Sequence, residues 1–300
     1  MVKEGAKVLI MGTGKASQFH NSIAQKFGTN ILGATSPNKS GQTFLGKPVF
    51  PSLREAQSEL KPDVVSVFVP AKLAADAVIE CIEAEVPLIV AYAEGVPTQD
   101  QLRIQSVLRS QGKSRLIGAN CPGMIIPHAK VKLGIQPLAV HSPGCVGLAS
   151  RSGTISYELA AQTTALGLGQ SIVFGLGGDP FPGTRTHEAL SLMLADPHSK
   201  VICVIGEVGG QMEEEVAEVY KKYLASLASG EQAKPVVGFV AGLNTERGLM
   251  YGHAGAVWWD ETETARSKKQ CWADAGIRVV ETLGEVGGVL MEEAKRVGAA

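Results

Sequence analysis

The chain lacks most of the features that would mark a specialised environment. Its longest apolar runs, residues 64–70 and 87–92, fall far short of the ~20 residues a membrane-spanning helix needs, so no membrane role is expected. Neither charge sign dominates: 28 Lys and Arg stand against 29 Asp and Glu, scattered along the chain, for a net charge of −1. That removes the electrostatic case for a nucleic-acid partner or an acidic lipid surface. The five cysteines (Cys81, Cys121, Cys145, Cys203 and Cys271) form no CxxC pair and have no metal-ligand spacing. A disulfide scaffold and a zinc site are therefore excluded, and reduced thiols in an intracellular protein are expected, with no metal held by this chain. Asn38-Lys39-Ser40 matches a glycosylation acceptor, but the sequence carries no secretory signal to give the match meaning. A nucleoside-triphosphate loop is missing as well. Gly41-Gln-Thr-Phe-Leu-Gly46-Lys47-Pro48 approaches the pattern, but Pro48 stands where a hydroxyl must hold Mg²⁺.

What is present is rhythm. Continuous apolar strands are expected at residues 8–13, 31–35, 64–69, 88–92 and 116–118, with helical stretches such as 71–84 and 98–111 between them. Such runs suit a parallel sheet covered on both faces. The rhythm pauses at 120–127 and 134–144, rich in Pro and Gly, where a domain hinge is expected. A second series follows, with strands at 146–150, 172–176, 201–205, 236–240 and 278–281 and helices at 157–166, 186–194, 212–227 and 263–275. Its 300 residues suffice for two α/β domains, each with its own core.

Several strand ends carry turns suited to chemistry. Gly12-Thr13-Gly14-Lys15-Ala16-Ser17 opens a helix after the first strand, where backbone amides and the helix N-terminus favour phosphate. Ser17 stands where a dinucleotide motif has its third glycine, and no acid follows the second strand to hold a ribose. The cationic Lys39 found there instead points to additional phosphate; a plain tight turn is the alternative. Ser152, Gly153 and Thr154, before a helix beginning near Ile155, form a second anion cradle, or Ser152 merely caps that helix. Glu207 lies in the glycine turn 206–210, either as a solvated loop acid or as the carboxylate orienting a histidine. His253, in Gly252-His253-Ala254-Gly255-Ala256, has small neighbours that admit a large group, and a neutral imidazole can form a covalent intermediate. The other five histidines are expected to be structural.

Read in order, Gly46-Lys-Pro-Val-Phe50, Ala93-Glu-Gly-Val-Pro-Thr98, Ile117-Gly-Ala-Asn-Cys-Pro-Gly123, Lys132-Leu-Gly-Ile-Gln-Pro137, Ser150-Arg-Ser-Gly-Thr154 with Tyr157-Glu158, Gly177-Gly-Asp-Pro180, Ile205-Gly-Glu-Val-Gly-Gly210 and Gly252-His-Ala-Gly-Ala256 resemble the α subunit of succinate–CoA ligase over almost the whole chain. The resemblance implies an α/β fold with a Rossmann-like CoA-binding domain at residues 1–128, a hinge at 129–145 and a flavodoxin-like domain at 146–300 carrying the phosphohistidine. It implies reversible conversion of succinate, CoA and ATP or GTP to succinyl-CoA, ADP or GDP, and phosphate. His253 would carry the phosphoryl group and Glu207 would hold its other ring nitrogen. Ser152, Gly153 and Thr154 would bind the phosphoryl group, and Tyr157, Asn120 and Cys121 would lie at the carboxylic-acid substrate. CoA contacts would come from Thr13, Gly14, Lys15, Ala16, Lys39, Tyr92, Ala93 and Glu94. The nucleotide and Mg²⁺ would sit on an ATP-grasp β subunit. The resemblance places such an enzyme in the mitochondrial matrix of a eukaryote or the cytoplasm of a bacterium.

The departures are local. Met11-Gly12 replace the family's Gly-Phe, and Ser17 replaces a later glycine. Val257-Trp-Trp-Asp-Glu-Thr-Glu-Thr264 replaces a glycine-lysine-glycine loop. Glu263-Thr-Ala265, with Lys268 and Gln270, resembles the citrate-using CoA ligases, whereas Cys121-Pro-Gly123 and Tyr157 follow the succinate type. Three alternatives remain open: the same chemistry on citrate, malate or another acid, a nicotinamide-dependent oxidoreductase, and a non-catalytic CoA-binding regulatory subunit.

Overall fold

The computed structural model describes residues 2–300, which form two compact units. The first comprises residues up to Leu138 together with Gly175–Gly177 and Phe181–Thr184; the second holds the remainder.

In the first unit the elements run β1 (Val8–Met11), α1 (Lys15–Phe27), β2 (Ile31–Thr35), β3 (Thr43–Phe44), β4 (Lys47–Phe50), α2 (Leu53–Leu60), β5 (Val64–Val67), α3 (Ala71–Glu83), β6 (Leu88–Ala91), α4 (Thr98–Arg109), β7 (Arg115–Gly118), β8 (Gly123–Ile126) and β9 (Val131–Gly134). The sheet order is β3-β4-β2-β1-β5-β6-β7, parallel throughout except for the antiparallel β3–β4 pair. Without β3 this is the strand order of a Rossmann fold, with its switch point between β1 and β5. Every residue of β1, β5 and β6 is buried. Alternate side chains point to opposite faces, so both faces of this sheet must be covered. The core joins Leu9, Val65, Val78, Ile82, Ile89 and Leu116, each burial contributing about 1.5–3 kcal/mol.

Five elements of this unit are absent from the sequence pattern: β3, β4 and α2, which are short, and the two strands of the antiparallel β8–β9 hairpin. The hairpin occupies part of the stretch whose Pro and Gly content suggests only irregular chain.

The second unit runs β10 (Pro143–Ser150), α5 (Gly153–Ala165), β11 (Gln170–Gly175), α6 (Thr186–Ala195), β12 (Val201–Glu207), α7 (Met212–Ser226), β13 (Val236–Ala241), α8 (Ala265–Asp274), β14 (Arg278–Val279) and α9 (Val286–Arg296). Its strands are ordered β14-β13-β12-β10-β11, the flavodoxin-like arrangement, with the switch point between β10 and β12. Val146, Leu148, Val173, Cys203, Ile205 and Val237 meet Leu159, Val286 and Leu290 in the core. None of the described helices is long and apolar enough to cross a membrane.

Candidate active site

Both switch points hold the turns singled out in the sequence. In an open parallel sheet the loops leave in opposite directions where the strand order reverses, and a crevice opens at the carboxyl ends. In the first unit that crevice lies beyond Met11 and Val67. Gly12 adopts φ +100, and a Cβ there would sit 2.5 Å from the carbonyl oxygen of Phe68, so only glycine passes. Gly14 is the N-cap of α1 and supplies no side-chain cap, which leaves the first-turn amides of α1 for an anion. The Ser17 hydroxyl donates to the carbonyl of Gly12 at 2.7 Å. The side chain that departs from the glycine pattern therefore ties turn to helix. Lys39, at the end of a single 3-10 turn, donates from Nζ to the Thr13 carbonyl at 3.2 Å and so lies at the same turn. Phe68 packs on Tyr92, ring centroids 4.5 Å apart. The Asn120 amide donates to the carbonyl of Ala93, and the Cys121 thiol to that of Ala91. Thr13, Lys39, Tyr92, Ala93, Asn120 and Cys121 thus gather along the carboxyl edge of one sheet.

The second crevice opens between Ser150 and Ile205, which are register partners on β10 and β12. Glu207 is the last residue of β12 and is buried, 7% exposed, rather than a solvated loop acid. Its Oε2 lies 2.5 Å from Nδ1 of His253, and its Oε1 lies 2.6 Å from the Arg151 guanidinium. An ionised carboxylate only accepts, so Nδ1 carries the proton and Nε2 keeps its lone pair. Arg151 is withdrawn from water and also donates to the carbonyls of Gly178 and Asp179 at 3.4 and 3.1 Å. These extra bonds help offset the desolvation of a buried ion pair.

His253 projects from a tight turn in which its own amide donates to the Tyr251 carbonyl and the Ala256 amide donates back to His253. A Cβ on Gly178 would lie 2.3 Å from the ring, and one on Gly255 would lie 3.1 Å from Arg151. The glycines are therefore spaces for the imidazole and the guanidinium. Arg151, Ser152, Ile155, Glu207, Tyr251 and His253 are among the residues lining a pocket of about 360 Å³.

Helix α5 begins at Gly153, two residues before Ile155, with Ser152 as its N-cap; the Ser152 hydroxyl accepts from the Ile155 amide at 3.4 Å. Ser152 is thus both the helix cap and a residue of the pocket wall. Of the predicted cradle only Ser152 lines this pocket; Gly153, Thr154 and Tyr157 lie on α5 outside the set of lining residues. Arg151 carries no role in the sequence reading, although its place immediately before Ser152 at a strand end was a signal.

An imidazole paired with a buried carboxylate, beside a helix N-terminus at the switch point of an open α/β sheet, fits a subunit of the CoA-ligase class. The chain belongs to the succinate–CoA ligase α-subunit family. A CoA-ligase family model matches residues 149–278, and a CoA binding domain model matches residues 3–95. Succinate–CoA ligase [ADP-forming] subunit alpha-2, mitochondrial, of Trichomonas vaginalis is 39% identical over 297 residues, covering 99% of this chain and 94% of its own. The corresponding subunit alpha 2 of Archaeoglobus fulgidus is 42% identical over 293 residues, covering 97% and 98%. Among solved structures, ATP citrate lyase from Methanothrix soehngenii, in complex with citrate and coenzyme A, superposes with a TM-score of 0.84 at 20% identity, over 99% of this chain and 51% of that one. That likeness concerns the fold, and this chain spans about half of the longer protein. The chain is accordingly an acid–thiol ligase subunit.

Proposed function

We propose that His253 is the phosphoryl carrier of a succinate–CoA ligase working with a nucleotide-binding β subunit of the ATP-grasp type. The observation that carries this reading is the 2.5 Å bond from Nδ1 of His253 to Glu207, which leaves Nε2 as the nucleophile. In the first step Nε2 attacks the terminal phosphorus of ATP or GTP on the partner, which also holds Mg²⁺. A P–N bond forms and the nucleoside diphosphate leaves. The ring cation so created is stabilised through the proton shared with Glu207. A carboxylate oxygen of succinate then attacks phosphorus, the P–N bond breaks back to the Nε2 lone pair, and an acyl phosphate results. The CoA sulfur, having lost its proton, attacks the acyl carbon; the C–S bond forms, the C–O bond to phosphate breaks, and the thioester and inorganic phosphate leave. Positioning and charge stabilisation carry such transfers.

In this scheme Ser152, Gly153 and Thr154 hold the phosphoryl oxygens, while Tyr157, Asn120 and Cys121 face the dicarboxylate. Thr13, Gly14, Lys15, Ala16, Lys39, Tyr92, Ala93 and Glu94 hold CoA. Residues 1–128 serve as the CoA domain, 129–145 as the hinge and 146–300 as the ligase domain. The compartment is the mitochondrial matrix in a eukaryotic cell or the cytoplasm in a bacterium, in line with the mitochondrial designation of the Trichomonas vaginalis relative.

The test mixes the chain with a candidate β subunit and terminally labelled ATP or GTP. Acid-labile label should appear on the wild-type chain and not on His253→Asn. Equal labelling of the two chains rules the scheme out.

A further inference from the structure

Beneath Glu207 lies a second charged pair that the scheme above does not use. Lys268, on α8, is fully buried, and all three of its ammonium protons are engaged. They go to Oε2 of Glu213 at 2.6 Å, to the carbonyl of Gly210 at 2.8 Å and to Oε2 of Glu214 at 3.2 Å. Glu213, in the first turn of α7, is itself buried, and its other oxygen accepts from the backbone amide of Glu207 at 3.1 Å. A single ammonium therefore reaches the catalytic strand end twice, directly at Gly210 and through Glu213 at Glu207.

The remaining contacts close the arrangement. The Trp272 indole donates to the Glu213 carbonyl at 2.8 Å. A Cβ on Gly206 would lie 2.8 Å from Glu213 and 2.9 Å from the Trp272 ring, so the chain just before Glu207 is pressed against both side chains. The Gly209 amide donates to the Glu263 carbonyl at 2.9 Å. The segment 207–210 is thus pinned at three points by α7, by α8 and by the loop leading into α8. That loop belongs to residues 257–264, one of the two stretches where the sequence departs from the family pattern it resembles.

We infer that Lys268 is a positioning residue of the phosphohistidine centre, holding the Glu207 carboxylate in line with His253 through the buried carboxylate of Glu213. The inference rests on the phosphoryl-carrier reading of His253. Stability alone is a poor account of the pair, because buried ion pairs are often replaced by apolar groups at no loss. Geometry is the better account. Catalytic groups must be held to within about 0.5 Å, and rigid outer partners provide that. Burial raises the Glu213 carboxyl above its usual range and Lys268 opposes the rise. Without the ammonium, the Glu213 carboxyl that accepts from the Glu207 amide loses the charged partner that fixes its position. Gly210 loses its anchor in the same step. The groups facing this centre are Arg151, Glu207 and His253 on one side and Glu213, Glu214 and Lys268 on the other.

The test uses Lys268→Met and the neutral pair Lys268→Met/Glu213→Gln, the second guarding against misfolding caused by an unpaired buried acid. Two quantities are read: the initial rate of label transfer from nucleotide on the partner to the chain, and the ¹⁵N and proton resonances of the His253 ring in the chain alone. Both variants should be labelled about 10- to 100-fold more slowly, the range known for outer partners of ligating histidines. The partner's KM for nucleotide should be unchanged and the Nδ1–H resonance displaced. A folded variant with the wild-type rate and an unmoved Nδ1–H resonance overturns the inference. If the wild-type chain takes no label at all, the phosphoryl-carrier reading fails, while the ring resonances still decide whether Lys268 positions Glu207.

Discussion

Arg151 and Glu207 meet at 2.6 Å with their side chains 5% and 10% exposed, and His253 takes the carboxylate oxygen that Arg151 does not. In the proposed scheme the carboxylate would work between two cations once the ring carries a phosphoryl group. Glu207→Gln keeps the shape and an acceptor but loses the charge. Labelling of His253 should slow by about 10- to 100-fold, as for other lost orienting partners of histidine. Rapid-quench measurement of label uptake checks this, and a wild-type rate excludes charge as the role of Glu207.

Gly178 offers a test by crowding. Its Cβ position lies 2.3 Å from Cδ2 of His253, so Gly178→Ala must push the ring away. A shift of the order of 1 Å at a reacting group costs roughly 100-fold in rate, while overpacking costs about 1–3 kcal/mol in stability. The variant should therefore melt as a folded protein yet label slowly, as calorimetry and the labelling assay together would show.

Lys39 should matter for CoA rather than for phosphorylation. It lies against the Thr13 carbonyl at the first switch point, in the other unit from His253. A charge-assisted bond to phosphate contributes about 1.5–3 kcal/mol, so Lys39→Ala should weaken CoA binding about tenfold or more. Titration calorimetry with CoA reads this, and the loss should shrink at high salt. His253 labelling should stay at the wild-type level.

Lys132 sets a pH dependence of stability. It is buried on β9 with its Nζ donating to the Gly134 carbonyl at 2.8 Å, and burial pushes its pKa down from 10.5 to about 8. Below pH 8 the group is charged in both the folded and the unfolded chain, and the cost of burying the charge is present in full. Between about 8 and 10.5 the unfolded chain binds the additional proton, so this contribution to stability rises with pH. Lys132→Met should lack that rise. Urea midpoints of the two chains at pH 7 and pH 10 should therefore converge, and parallel midpoints would contradict the assignment.

What could be read in advance, and what could not, has a physical basis. Strands β1, β5, β6 and β12 are buried along their whole length, and such strands announce themselves as unbroken apolar runs. Helix α2 has eight residues and β3 only two, too few for a periodicity to stand out. His253 and Glu207 stand out in the sequence because each sits among glycines, although they are 46 residues apart. Arg151 drew no such attention, because an arginine after a strand looks like any surface cation until its partner is known. Lys268 and Glu213 are separated by 55 residues, each on a helix with other charges nearby, and only the packing of α7 on α8 shows that they are buried together. Ser17 illustrates the reverse: as a departure from a glycine pattern it looked like a loss, yet its hydroxyl makes the bond that holds the turn.

The three tryptophans stand at three depths around the centre. Trp259 is 61% exposed, Trp258 donates its indole N–H to the Thr245 hydroxyl, and Trp272 is sealed against Gly206 and Glu213. The molecule is in effect built with its own fluorophores, one facing solvent, one tied to Thr245 and one beneath the strand that ends in Glu207. Quencher accessibility would separate the first from the last, so partner docking and rearrangement below Glu207 should leave distinguishable marks on a single emission spectrum.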